Sequence, residues 1–254
     1  MKSVSLIAAA KSRLRRLAEL HPEILNPLWK IYYKWNRPLV TDTGRFDSAR
    51  PGAFTEIYQS NFWGSEESVS GSGSTLDYTR ILRKELPLLL REFDVKVLLD
   101  APCGDFNWMQ HVALGQTRYI GCDIVEDLIE QLNRKYASDA RKFAVLDIVE
   151  GQVPDADLWL CRDVLFHLPN SDVLSVLNQF ARSNVKYLLT TTFDIAGVNP
   201  DVKPGGFRHI NLLKAPFNLP KPIRTIDDFV APFAPRVLGL WTREQVRNAC
   251  HVQG

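Results

Sequence analysis

Two carboxylates end apolar runs, and each run gives way at once to a turn. Val97-Leu98-Leu99-Asp100 is followed by Ala101-Pro102-Cys103-Gly104-Asp105, and Tyr119-Ile120-Gly121-Cys122 ends in Asp123. In open α/β sheets, ligands bind outside the carboxyl ends of the strands, where neighbouring crossovers diverge. A turn containing Gly104 lets backbone N–H groups approach a ligand, and Asp123 is placed to accept from ribose hydroxyls. The spacing predicts an adenosine-binding half-site. A second constellation is Arg162-Asp163-Val164-Leu165-Phe166-His167-Leu168-Pro169, in which His167, titrating near neutrality, can serve as a base and Asp163 is the alternative. A third is Gly205-Gly206-Phe207-Arg208-His209-Ile210-Asn211. There Arg208 can hold a phosphate or carboxylate, with His209 and Asn211 as further substrate contacts. An ordinary solvated turn is the competing reading.

The obvious rival for the first constellation is a nicotinamide dehydrogenase, whose fingerprint is G-x-G-x-x-G after the first strand. Only Gly104 is present, with Pro102 and Phe106 at flanking positions. Asp100 and Asp105 would also set two negative charges where a diphosphate must lie. They suit instead a ligand carrying positive charge, such as the α-amino group or sulfonium of S-adenosylmethionine.

The segment from about Val95 to Phe193 resembles the cofactor-binding core of class I S-adenosylmethionine-dependent methyltransferases. L-D-A-P-C-G-D resembles that family's first motif, Y-I-G-C-D-I its second, and F-A-V-L-D followed by D-A-D-L-W-L-C-R-D-V-L-F-H-L-P the stretch from third to fourth strand. The departures are Pro102 and Phe106 at glycine positions, which bear on the shape of the methionine-binding loop. The resemblance implies that Asp100, Cys103 and Gly104 border the methionine portion, that Ile124 lies against the adenine, and that Asp147 accepts from its amino group. Asp163 and His167 would then face the transferred methyl. The expected activity is methyl transfer to a hydroxyl of a small polar molecule or sugar. The alternatives are N-methylation of a small amine, or a protein or RNA substrate.

Around these residues the chain alternates apolar runs with amphipathic ones. Strands are expected near 95–100, 118–123, 142–147, 157–162 and 185–192, and helices near 106–114, 126–138 and 171–182, which implies a doubly wound, mostly parallel sheet. By resemblance it is seven-stranded and Rossmann-like, closing on an antiparallel hairpin in which Arg236 to Trp241 is the last clear strand. Residues 95–254 form this core, with a proline-rich substrate cap at 194–230. Residues 46–94 are read as a lid and a leading helix, the helix running from Thr75 or Leu76 through Leu82 and Leu86 toward Phe93. The run Ser70-Gly71-Ser72-Gly73-Ser74 just before it is either a linker or a lid whose free N–H groups reach the cofactor through Gly71 and Ser72.

Residues 1–45 hold nine Lys/Arg against three Asp/Glu, whereas the whole chain of 254 residues is only +2. The excess charge is therefore confined to a basic, amphipathic helical arm. It packs on the domain, or it makes weak membrane-surface contact through residues 1–40. A slightly acidic remainder argues against a nucleic-acid partner. Cys103, Cys122, Cys161 and Cys250 show no C-x-x-C pairing and no zinc-like grouping with histidine. They read as structural thiols in a reducing, cytoplasmic setting.

Overall fold

The computed structural model describes residues 22–35, 41–42, 49–194, 198–231 and 233–251. Its elements are α1 (Pro22–Trp35), β1 (Thr41–Asp42), α2 (Arg50–Gln59), α3 (Arg80–Glu92), β2 (Val97–Asp100), β3 (Arg118–Asp123), α4 (Glu126–Tyr136), β4 (Arg141–Val145), β5 (Leu158–Cys161), α5 (Asn170–Arg182), β6 (Tyr187–Phe193), β7 (Phe207–Arg208), β8 (Arg224–Asp227), β9 (Arg236–Thr242) and α6 (Arg243–His251). Short 3₁₀ turns add Ser72–Ser74, Met109–His111 and Leu165–His167.

Seven strands form one sheet in the order β4-β3-β2-β5-β6-β9-β8. The first five are parallel, and β9 runs antiparallel to both β6 and β8. Central strands covered on both faces read as continuous apolar runs, and Leu158-Trp159-Leu160-Cys161 is wholly inaccessible. Two apolar clusters cover the sheet, one containing Trp159, Phe180 and Trp241, the other Leu86, Tyr119 and Leu160. The strand order reverses between β2 and β5, so the carboxyl ends of β2, β3 and β5 open a crevice.

Several expectations need correction. No α-helix spans 106–114; only the Met109–His111 turn forms. Phe106 adopts φ +60°, a left-handed conformation that cannot continue a right-handed helix. The Asp105 carboxylate takes the Asn107 N–H at 3.2 Å. The leading helix starts at Arg80, because Thr75 to Thr79 are spent in turns, and Pro87 lies buried inside it. Helix α2 arises in a stretch with little hydrophobic periodicity, burying only Ala53 and Ile57. Strand β8 lies within the range assigned to the cap.

The first 21 residues of the expected helical arm lie outside the described residues. The arm's described portion packs on the 227–233 segment. Trp29 Nε1 donates to the Phe233 carbonyl at 2.8 Å, Lys30 pairs with Asp227 at 2.8 Å, and Asn26 Oδ1 accepts from the Ala231 N–H. No helix among the described residues is long and apolar enough to cross a membrane.

Candidate active site

The β2 end places Asp100 at the floor of a cleft of about 1010 Å³, counting the open solvent at its mouth. Asp100 is 3% exposed and accepts from the Tyr119 hydroxyl at 2.7 Å. Burial pushes its carboxyl up to about 7, against the opposing pull of the Tyr119 bond and Arg162. The following turn carries Gly104 at φ +55°, and a Cβ there would lie 2.3 Å from Ser70 Oγ. Glycine is required on both counts.

Asp123, at the end of β3, accepts from the Gly104 and Val125 N–H groups at 3.1 Å each. Burial raises its carboxyl, although these backbone donors pull it back. A turn and a helix start thus hold the carboxylate at the cleft wall. Phe106 does not block the turn: its ring swings into the core against Tyr119, Tyr136 and Phe143. Its left-handed backbone takes the place of a glycine.

Cys103 and Ile124 also line this cleft. Asp147 lines it too, but its carboxylate is largely committed. Arg50 Nη2 reaches it at 2.8 Å, and the Val149 N–H at 2.9 Å. Arg50 also pairs with Asp172 at 2.6 Å and Glu150 at 3.1 Å. This clamp fixes α2 across the cleft, where Phe54, Ile57 and Tyr58 become wall residues.

The serine–glycine run is held against the turn after β2. Ser70 Oγ accepts from the Asp105 N–H at 3.1 Å, and the Asp105 carboxylate accepts from the Val69 N–H at 3.0 Å. Ser70 and Ser74 face the first cleft. Gly71 and Ser72, expected at the cofactor, line a second cavity of about 860 Å³, counting the open solvent at its mouth. The two cavities share Trp63, Ser70 and Asp163.

Asp163 follows β5 at φ +57°. Its carboxylate receives Arg236 Nη2 at 2.6 Å, Thr191 Oγ1 at 3.0 Å and Arg162 Nη1 at 3.3 Å. Burial alone would raise this group, but Arg162 and Arg236 outweigh it and hold it below the usual carboxylate range. So ion-paired a carboxylate is a poor base, and Asp163 positions the two guanidinium groups. Asp228 completes the set, accepting from Arg162 Nε at 2.9 Å and Nη2 at 3.0 Å. Arg162 Nη2 also donates to the Gly73 carbonyl at 2.8 Å and so ties the serine–glycine run down.

His167 lines the second cavity. Its Nδ1 faces the Gly206 carbonyl at 2.5 Å, and its ring stacks on Trp63 with centroids 5.1 Å apart. A carbonyl only accepts, so Nδ1 carries the proton and Nε2 keeps a free lone pair. Burial lowers the imidazole to about 4, leaving it neutral at pH 7.

The loop after β6 is divided by its strand geometry. Phe207 and His209 line the second cavity, whereas Arg208 between them turns the other way. Arg208 is wholly buried, donating to the Leu168 carbonyl at 2.6 Å and to Asn170 Oδ1 at 3.0 Å. Asn211 closes a turn: its N–H donates to Asn199 Oδ1 and its Oδ1 accepts from Leu213. Neither residue lines either of these two cavities, and both spend their polar groups within the fold. Sequence reasoning missed Arg50, Trp63, Asp228 and Arg236. Arg236, opening an otherwise apolar strand, was the one visible signal.

A sheet in this order, closed by an antiparallel hairpin and carrying strand-end carboxylates at its switch point, is the fold of the class I S-adenosylmethionine-dependent methyltransferases. Three solved structures share it. One is magnesium protoporphyrin IX methyltransferase (ChlM) from Synechocystis PCC 6803 with bound SAM, with a TM-score of 0.53, 12% identity, and coverage of 78% of this chain and 99% of that one. The second is N-methyltransferase NodS from Bradyrhizobium japonicum WM9 in complex with S-adenosyl-L-homocysteine, at 0.52, 15%, 74% and 98%. The third is Burkholderia thailandensis 1,6-didemethyltoxoflavin-N1-methyltransferase, at 0.51, 14%, 81% and 96%. At these identities the likeness is one of fold. No protein-family model matches the sequence, and no curated protein matches it.

Proposed function

We propose that this chain is an S-adenosylmethionine-dependent methyltransferase acting on a hydroxyl of a small molecule. The observation that carries the reading is the pair of cavities meeting at Trp63, Ser70 and Asp163. A donor in one and an acceptor in the other would face each other where the walls are shared.

The donor set of the first cleft fits S-adenosylmethionine. Asp123 would take the ribose hydroxyls, Asp100 the cationic methionyl end, and Ile124, Leu146 and Ile148 an apolar adenine face. When bound, the cofactor supplies a methyl group already activated by its sulfonium. The chain's own work is then to align the acceptor, exclude water and receive a proton. The Ser70–Ser74 lid, held by Arg162 through the Gly73 carbonyl, excludes water. His167, with Nε2 free, receives the proton, and Asp163 fixes the guanidinium pair beside it.

Calorimetry with S-adenosylhomocysteine and NAD tests the cofactor. Binding of the first and none of the second is expected, and the reverse overturns the reading. His167→Ala should keep cofactor affinity while lowering turnover by roughly 10²–10⁴, the range for losing a general base. A folded mutant with near-normal turnover from pH 6 to 9 removes His167 from catalysis.

A further inference from the structure

The walls of the second cavity are mostly aromatic. Trp63, Phe166, Phe193, Phe207 and Phe233 line it together with His209. Phe166 and Phe207 meet edge to face at 5.3 Å, and His209 lies on Phe193 with centroids 4.6 Å apart. Such rings offer faces and edges to a flat apolar guest.

The charges in this cavity cancel. Arg236 and Asp163 are paired at 2.6 Å. His167 and His209 are both held neutral by burial, at about 4 each, His209 also by the nearby Arg236. A phosphate, carboxylate or ammonium group desolvated here would find no uncommitted counter-charge among the described residues.

Polar capacity is also short. The Tyr78 hydroxyl is spent on the Asp228 carbonyl and that of Ser70 on Asp105. What remains on the side chains is His167 Nε2, the exposed Ser72 hydroxyl, and the N–H groups of Trp63 and Arg236 that no described residue takes up. A sugar brings several hydroxyls, each costly to bury unpaired. One or two polar groups on a ring would match the supply.

Resting on the methyl-transfer reading above, we infer that the second cavity takes a neutral, planar aromatic acceptor carrying a phenolic hydroxyl. In the transfer, an O–CH₃ bond forms as the C–S bond breaks. The electron pair returns to sulfur, and the phenolic proton passes to His167 Nε2. The weak base supports the assignment. A phenol near pKa 10 gives up its proton to such a group during concerted transfer more readily than an aliphatic hydroxyl, close to water at about 15.7. On this reading the sugar expected from the sequence gives way to an aromatic ring.

The test uses the full chain in two stages. Calorimetry with S-adenosylhomocysteine comes first, and its failure removes the methyl-transfer reading together with this one. With the loaded protein, naphthol and hydroxybiphenyl are titrated by fluorescence against methyl glucoside and phenethylamine. All four are then offered with tritiated S-adenosylmethionine. Saturable binding and methylation of the phenols is expected. Phe207→Ala should weaken naphthol by roughly 2- to 10-fold, the worth of one aromatic contact, without changing S-adenosylhomocysteine affinity. Cofactor binding without saturable phenol binding overturns the inference and leaves methyl transfer standing. Methylation of the glucoside or the amine in preference to the phenols, or phenol affinity unmoved in Phe207→Ala, overturns it as well.

Discussion

Cofactor binding should be linked to the ionisation of Asp100. Burial pushes this carboxyl up to about 7, so below that pH the residue is mostly protonated. A methionyl ammonium or sulfonium beside it favours the carboxylate, and binding must then release a proton. At pH 5 only about one molecule in a hundred would carry the charge beforehand, since each pKa unit is 1.36 kcal/mol. Affinity for S-adenosylhomocysteine should therefore fall by up to about 100-fold between pH 7.5 and pH 5. Calorimetry at pH 6 in buffers of different ionisation enthalpy reads the released proton directly. Asp100→Asn, close in shape and unable to ionise, should weaken binding at pH 7.5 and flatten the profile. Equal affinity across the range in the wild type refutes the argument, as does an unchanged slope in Asp100→Asn.

Three other expectations follow from the same geometry. His167 and His209, unfolded, titrate near 6.5 but only at about 4 when folded, so the unfolded chain binds more protons between these values. Their contribution, up to about 3 kcal/mol each, is complete above pH 6.5 and lost as pH falls toward 4. Asp100 acts in the opposite direction, so the reading is the difference between urea unfolding of the wild type and of His209→Gln at pH 7 and 4.5; a difference independent of pH would refute it. Gly104→Ala combines a left-handed backbone worth about 1–2 kcal/mol with a collision at Ser70. It should lower the melting temperature and loosen the lid, seen as faster proteolysis within 65–75; normal stability and cleavage would show that the turn tolerates a side chain. Asp228→Ala leaves the buried Arg162 without its bidentate partner and should cost about 3–5 kcal/mol, while Arg162→Met with Asp228→Leu should cost much less. Equal losses in denaturant melts would place the role of the pair elsewhere.

The parallel core and the cleft carboxylates were legible because each is a local pattern, whereas the closing hairpin was implied only by the resemblance. An apolar run ending in Asp100 or Asp123 needs a strand and a turn, and both lie within a few residues. The same locality explains the failures. Residues 106–114 carry a helical pattern, yet one residue at positive φ outweighs it. Arg208 and Asn211 look like substrate contacts by residue type, but the facing direction of a two-residue strand decides that Phe207 and His209 reach the cavity. Nothing near Arg50 in sequence shows that Asp147, Glu150 and Asp172 will converge on it. Nor can a linear reading show that Trp63 stacks on His167, or that Arg236 meets Asp163 across the sheet. Local sequence determines where the chain bends, because dihedral preference and burial period act over a few residues. Which charges neutralise one another, and hence whether Asp163 is a base or a strut, depends on contacts between distant segments that only the closed fold brings together.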